Sequence, residues 1–342
     1  MPDSVRRSPS ARRLGSAAAA LAGLLLFAYT VRQTGLETVA DGFRRIGGAF
    51  AVILVLSGLR FAARAWAWVL CTEPPHALRL RDTFPALVGG DALGNLLPLG
   101  LFVSEPTKAA LVRDRVSLMS ALSGIALENL FYTITVAAMI GGGTLVLLSI
   151  FDLPAALRVM SLVALVGMTA FLLVALALAS GRFRPLTHVV GRLQGLAIAP
   201  RALVGRVGKL QTLEERIYTF ARRHPSRPGP VLLLEVGYHA LGVAEVYLTL
   251  SLLAGGVDPT LLGAFLFEVV NRVINVAFKF VPLRLGVDEA GTALLAQVVG
   301  YTAALGVTVS LVRKARMLVW TGVGVAFLAL RGFRTAPYPM PD

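Results

Sequence analysis

Eight long apolar runs fill most of this chain, near residues 14–31, 46–70, 83–103, 117–150, 156–180, 230–254, 260–282 and 285–331. Runs of this length match a hydrocarbon layer about 30 Å thick, which about 20 helical residues cross. Nothing in such a layer hydrogen-bonds an unpaired amide, so the backbone has to be helical almost throughout. Composition agrees: 56% of the 342 residues are hydrophobic and 15% charged, with a mean hydropathy of +0.73. A soluble core of this size could not hide that much apolar surface. The expected fold class is an all-α polytopic membrane protein.

Two of the runs are poor candidates for plain spans. The run at 83–103 is interrupted by Gly89-Gly90-Asp91, by Gly94-Asn95 and by Pro98, residues that weaken or break a straight helix. The region from 260 to 300 carries Glu268, Arg272, Lys279, Arg284, Asp288 and Glu289, together with Asn271, Asn275 and Pro282. It cannot be a lipid-facing helix pair. Both regions lead into copies of one fourteen-residue stretch, Pro98 to Leu111 and Pro282 to Leu295, identical at seven positions that include the proline and the glutamate. Chance would give about one or two identities in so apolar a chain. Two related halves are therefore expected, each with a proline-broken re-entrant hairpin, at about 83–104 and about 260–300.

Charge sets the orientation. Of the net +14, ten Arg or Lys residues fall between Arg182 and Arg227 against only Glu214 and Glu215, which marks this loop as cytoplasmic. Arg6, Arg7, Arg12 and Arg13 precede the first apolar run, so a retained first span with a cytoplasmic N-terminus is expected. Counting spans from there brings Arg331 and Arg334 back to the cytoplasm and gives the two hairpins opposite orientations. The predicted architecture is about six full spans plus two re-entrant hairpins in an inverted repeat. Its parts are an N-terminal half over 1–180, a basic connector over 181–229 and a C-terminal half over 230–342. The connector holds an amphipathic stretch from Leu203 to Phe220, suited to lie on an anionic leaflet or to link the halves. The same count puts Arg32, Arg44 and Arg45 in an outer loop, partly offset by Glu37 and Asp41. Multi-pass insertion in a bacterial-type inner membrane, with both termini cytoplasmic, follows.

Other chemistries find little support. Cys71 is the single cysteine, which excludes an intramolecular disulfide, and the four histidines lack metal-ligand spacing. His239, in an apolar run, reads as a packing or hydrogen-bonding residue. No phosphate-binding glycine loop, dinucleotide fingerprint or hydrolase motif is present, so no enzyme activity and no cofactor are expected. A basic charge balance without a nucleic-acid motif points to lipid and topology. Trp66 and Trp68 read as interfacial anchors, and Gly141-Gly142-Gly143 as a site of close helix packing.

Chemistry should lie with charge inside the membrane, where each unpaired ion costs about 3 kcal/mol or more. Arg60 and Arg64 share a helix face at a four-residue step. Glu105 and Lys108 lie three apart just past the first hairpin, and Glu128 and Asn129 sit midway along an apolar run. Lys279, Arg284, Asp288 and Glu289 follow in the second hairpin, then Arg313, Lys314 and Arg316 in the last run. One reading makes these buried pairs that set helix register. The other makes them a hydrated groove for an amphiphile with a phosphate head, since guanidinium binds phosphate in a bidentate manner.

At these residues the chain resembles the lysylphosphatidylglycerol synthase transmembrane, or flippase-like, region. The likeness runs from Asn95-Leu-Leu-Pro98 through Glu105 to Lys108, then Glu128-Asn129, then Pro282 through Gly286 and Glu289 to Ala290, then Arg313. Leu283 and Arg284 stand where that family favours Gly-Gly, and Asn129 where it favours Arg; Arg284 or Arg316 would supply the missing cation. The resemblance implies a stand-alone lipid translocator, without the synthase domain, acting on an anionic phospholipid or a polyprenyl phosphate. Its headgroup contacts would be Arg60, Arg64, Lys108, Arg284, Arg313 and Arg316, with Asn95, Asn129, Lys279 and Asp288 in the same groove. Glu105, Glu128 and Glu289 would act as gating partners. Alternatives are a membrane-embedded transferase or accessory protein on the same lipids, and a non-transporting scaffold. A second copy or a synthase partner stays open.

Overall fold

The computed structural model describes residues 36–73, 78–96, 100–153, 155–179, 215, 219–253, 257–278 and 284–332. The first apolar run, most of the basic connector, Pro98, Lys279, Pro282 and Leu283 lie outside them. Ten α-helices are described, and no strand occurs among the described residues. Three of them, within Phe43–Cys71, Leu118–Ile150 and Pro228–Leu253, are long and apolar enough to cross a membrane.

Helix α1 (Leu36–Ile46) lies where the sequence predicts an outer loop. Glu37 in its first turn and Arg44 and Arg45 in its last complement the helix dipole. A 3-10 turn, Gly47–Ala49, joins it to α2 (Phe50–Cys71). The first hairpin is α3 (Leu80–Leu96) and α4 (Leu101–Leu111). The glycines at 89, 90 and 94 do not interrupt it, because α3 runs helically through all of them and ends only at Leu96. They serve close approach instead. A Cβ on Gly100 would fall 2.1 Å from the Gly94 carbonyl oxygen, and one on Gly90 would fall 2.4 Å from Lys108 Cγ. Small residues thus let the two short helices lie backbone to backbone.

Helices α5 (Leu118–Ile150) and α6 (Ala155–Ala179) complete the first half. Ser117 caps α5 by accepting from the Ser120 amide at 3.2 Å. Helix α6 packs chiefly on α5 and leaves Val159, Val163, Val166 and Leu173 exposed, a lipid-facing surface in a membrane. The second half repeats the order with α7 (Pro228–Leu253), α8 (Leu261–Ala277), α9 (Val287–Val299) and α10 (Ala303–Gly332). Thr260 caps α8 through the Gly263 amide at 3.0 Å. Helix α9 starts from Gly286 at φ +80°, whose amide donates to Glu289 Oε2 at 2.7 Å.

Packing is exchanged between the halves. Helix α2 packs against α7, the hairpin helix α3 against α10, and the hairpin helix α8 against α5. Swapping each element of one half for its counterpart in the other turns this pattern into itself. The two hairpins are therefore each clasped by the long helix that follows the other hairpin.

Two sequence expectations change at the level of single residues. Trp66 is exposed, but Trp68 is 1% exposed in a core with Ala86, Ala109, Val112 and Ala121; two positions along a helix turn the side chain about 200° to the inner face. Of the glycine triplet only Gly143 meets a neighbour, since its Cβ would fall 2.3 Å from Val269 of α8, whereas Gly141 and Gly142 face open space. A second core, around Ile53, Leu250, Leu266 and Phe267, joins α2, α7 and α8.

Candidate functional site

The charges of the two halves meet where α2, α7, α8 and α10 come together. Arg60 and Arg64, on one face of α2, diverge in their partners. Arg64 forms a bidentate pair with Glu128 of α5, at 2.7 and 3.0 Å, and donates to Asn129 Oδ1 at 3.1 Å. Arg60 reaches across to Glu245 of α7 at 3.2 Å and Glu268 of α8 at 3.0 Å. Tyr132 and Tyr238, edge to face with their ring centres 5.7 Å apart, lie against them. The Arg64 guanidinium lies 4.2 Å from the Tyr132 ring centre and that of Arg60 lies 4.5 Å from Tyr238, cation–π contacts that lower the cost of burying a charge.

Glu268 is the hub. At 1% exposure it accepts from Arg60, from Arg272 one turn along α8 and from Arg313 of α10 at 3.4 Å. Arg272 also donates to the hydroxyls of Tyr132 and Tyr238, each at 3.2 Å. Glu245 takes Arg316 as well as Arg60. This close meeting depends on Gly242, where a Cβ would stand 2.6 Å from Glu268 Oε1 and 3.1 Å from Arg60 Cζ. Asp288 and Glu289, at the start of α9, both hold Lys314 at 3.0 Å. Glu289 is fully buried, and its remaining contacts, with the Gly286 amide and the Ser310 hydroxyl at 3.1 Å, tie α9 to α10.

These helices line a partly open cavity of about 130 Å³, room for several waters or a small hydrated anion. Six cations line it: Arg60, Arg272, Arg284, Arg313, Lys314 and Arg316. Asp288 is the one carboxylate on its wall, and Glu245, Glu268 and Glu289 stand behind. Six cations against four carboxylates leave an excess of two positive charges. A smaller cavity of about 60 Å³ shares Ser57, Phe61, Arg316 and Met317 with it and extends to Asp91 and Asn95 of the first hairpin. Asn95 also donates to Thr321 Oγ1 at 3.3 Å.

Arg284 has an unusual backbone. It alone among the described non-glycine residues has a positive φ, +48°, a left-handed conformation that costs an L-residue about 1–2 kcal/mol.

The structure thus sorts the sequence candidates. Arg60, Arg284, Asp288, Arg313 and Arg316 line the larger cavity, and Asn95 the smaller. Arg64, Glu128 and Asn129 form a neighbouring cluster linked through Tyr132 and Tyr238. Glu105 and Lys108 pair at 3.0 Å, and Lys108 also holds Asp91 at 2.8 Å, within the first hairpin. Lys279 lies outside the described residues.

Sequence reasoning passed over α7 as an ordinary span. Glu235, Tyr238, His239, Gly242 and Glu245 nevertheless fall at three- and four-residue steps on its buried face, the helical period that marks an inward stripe. His239 bonds Thr135 Oγ1 at 3.1 Å, the hydrogen-bonding role expected of it. Tyr132 gave no such signal, because a lone tyrosine in an apolar run is ordinary. Among the described residues no group of three His, Cys, Asp or Glu is placed to hold a metal ion. What the cavity can do chemically is hold an oxyanion: guanidiniums offer paired donors, and low dielectric strengthens each bond.

A family model described as the lysylphosphatidylglycerol synthase TM region matches residues 15–325. No curated protein and no solved structure matches the chain. The match takes in both hairpins, the α7 stripe and every residue of the cavity. The chain belongs to the lysylphosphatidylglycerol synthase transmembrane-region family, a family of membrane proteins related to lipid handling.

Proposed function

We propose that the chain is a lipid translocator that receives the phosphate-bearing head of a membrane lipid in the cavity between α2, α7, α8, α9 and α10. One observation carries this reading: six cations, four of them buried and Arg284 and Arg316 half-buried, converge on a space where four carboxylates cannot neutralise them. Burying uncompensated charge costs several kcal/mol per ion, so an arrangement with two positive charges to spare is stabilised by an anionic guest. A scaffold held by buried pairs has no use for the excess. The anion has to be attached to something the membrane supplies in quantity, and an anionic phospholipid or a polyprenyl phosphate has the required head.

The exchanged packing of the halves favours translocation over static binding. Each hairpin is clasped by a helix of the other half, and the cavities draw on both. An inverted repeat would let such a site open alternately to either face. In this reading the chain sits in an inner-type membrane with cytoplasmic termini, moves its lipid without catalysing a reaction, and needs no cofactor.

Reconstituted in liposomes, the protein should speed transbilayer exchange of a headgroup-labelled anionic phospholipid. Arg313→Ala should slow that exchange at least tenfold, because it removes a cavity donor worth about 1.5–3 kcal/mol to a charged acceptor. Unchanged exchange in a folded Arg313→Ala protein would refute the assignment. Product formation from a labelled lipid-linked donor would replace it with a transferase.

A further inference from the structure

The position of Arg284 carries the reading above one step further, to the charge of the headgroup, and rests on that reading. Arg284 holds a left-handed backbone at φ +48° two residues before Gly286, which takes the other positive φ of this turn, +80°. A glycine at 284 would adopt the same conformation without strain. An arginine there puts a guanidinium into the cavity. That guanidinium is weakly neutralised. Its ion pair is with Asp288 Oδ2 at 3.4 Å, and the same oxygen holds Lys314 at 3.0 Å. Its other contact among the described residues is Met317 Sδ at 3.9 Å. With 21% of its side chain exposed, it is the most open of the cavity cations, ahead of Arg316 at 16% and Arg313 and Lys314 at 10%.

The charge balance turns on this residue. Without Arg284 the cavity would keep five cations against four carboxylates, an excess of one. With it the excess is two. A phosphodiester head carries one negative charge, whereas a phosphate monoester above its second ionisation carries two.

The geometry points to Arg284 as the residue that sets headgroup selectivity, matching the cavity to a phosphate monoester in preference to a phosphodiester.

The test uses the purified full chain in detergent at pH 8, where a monoester is dianionic. Three probes are titrated: dioctanoyl phosphatidic acid, dioctanoyl phosphatidylglycerol and inorganic phosphate. The wild type should bind the phosphatidic acid about tenfold or more tightly than the phosphatidylglycerol, the scale of one charge-assisted hydrogen bond. Arg284→Gly should bring that ratio to about one by weakening phosphatidic acid more than phosphatidylglycerol, and keep or raise the melting temperature by relieving the strained turn. Arg284→Lys, which keeps the charge, should retain the preference. If both lipids bind but the ratio is already one in the wild type, or survives in Arg284→Gly, this inference is overturned while the anionic-head reading stands. If neither lipid binds the wild type, that reading falls and takes this one with it. Inorganic phosphate should displace the phosphatidic acid only at far higher concentration. Equal potency would name free phosphate as the source and overturn the lipid assignment.

Discussion

Replacing Glu268 by Gln tests the charge arrangement with almost no change of shape. Glu268 accepts from three guanidiniums, Arg60 at 3.0 Å, Arg313 at 3.4 Å and Arg272, and also from the Asn271 amide at 3.4 Å. Gln keeps the volume but removes the one anion these cations share, raising the excess from two charges to three. Removing one partner of a buried ion pair costs about 3–5 kcal/mol, because the others stay buried and uncompensated. At about 2–4 °C per kcal/mol for a chain of this order, the melting temperature should fall by on the order of 10 °C. Glu105→Gln is the control. That carboxylate is 24% exposed and pairs, among the described residues, with Lys108, which Asp91 still holds at 2.8 Å, so the buried cation keeps a counter-charge and the loss should stay below that of Glu268→Gln. Intrinsic fluorescence during a thermal ramp of each purified protein reads both. Added phosphatidic acid should restore part of the Glu268→Gln loss, since a ligand that binds the folded state stabilises it. A fall of less than about 2 °C, or one equal to that of Glu105→Gln, would show that the cluster is not held by charge compensation through Glu268.

Three further substitutions probe the frame around the cavity. Trp68→Ala should cost about 3–5 kcal/mol in unfolding measurements, and Trp66→Ala, two positions away on the exposed face, within about 0.5 kcal/mol; equal effects would contradict the burial described. Gly242→Ala should destabilise by about 1–3 kcal/mol despite a helix-propensity gain of about 1 kcal/mol, because its Cβ falls 2.6 Å from Glu268 Oε1. A neutral or stabilising result would mean that α7 is not pressed against the ion cluster. Gly100→Ala places a Cβ 2.1 Å from the Gly94 carbonyl and should spread the first hairpin, seen as faster amide exchange over 80–111; unchanged protection would contradict the close packing of α3 on α4.

The helical membrane class was legible because the hydrocarbon layer allows few alternatives to a run of some twenty apolar residues. Pro98, Pro282 and the repeated fourteen residues mark the two regions where the short helices α3, α4, α8 and α9 stand in place of long spans. The internal role of Gly90 and Gly94 was not legible. A glycine's effect on a helix is local in sequence, but the neighbour it admits, here α4, is not written beside it. Trp66 and Trp68 show the same limit, since they are chemically alike and only the rotation of α2 separates an exposed ring from a buried one. At the site, Arg60, Arg284, Arg313 and Arg316 announced themselves as charges in apolar surroundings. Their pairing did not, because Glu268 and Glu245 lie 208 and 185 positions from Arg60. The periodic stripe of Glu235, His239, Gly242 and Glu245 was present in the sequence, hidden within an otherwise apolar span.

Access of an anion to the cavity is the central claim, and one cysteine reports on it. Cys71 is buried at 2% exposure, so a Cys71→Ser background leaves no other thiol, and Asn275→Cys then places one on the cavity wall. In proteoliposomes an anionic methanethiosulfonate reagent should modify that thiol, and phosphatidic acid should slow the modification where an uncharged diacylglycerol does not. A thiol that reacts at the same rate with and without the phosphate lipid, or that does not react at all, would contradict a hydrated site for the lipid's head.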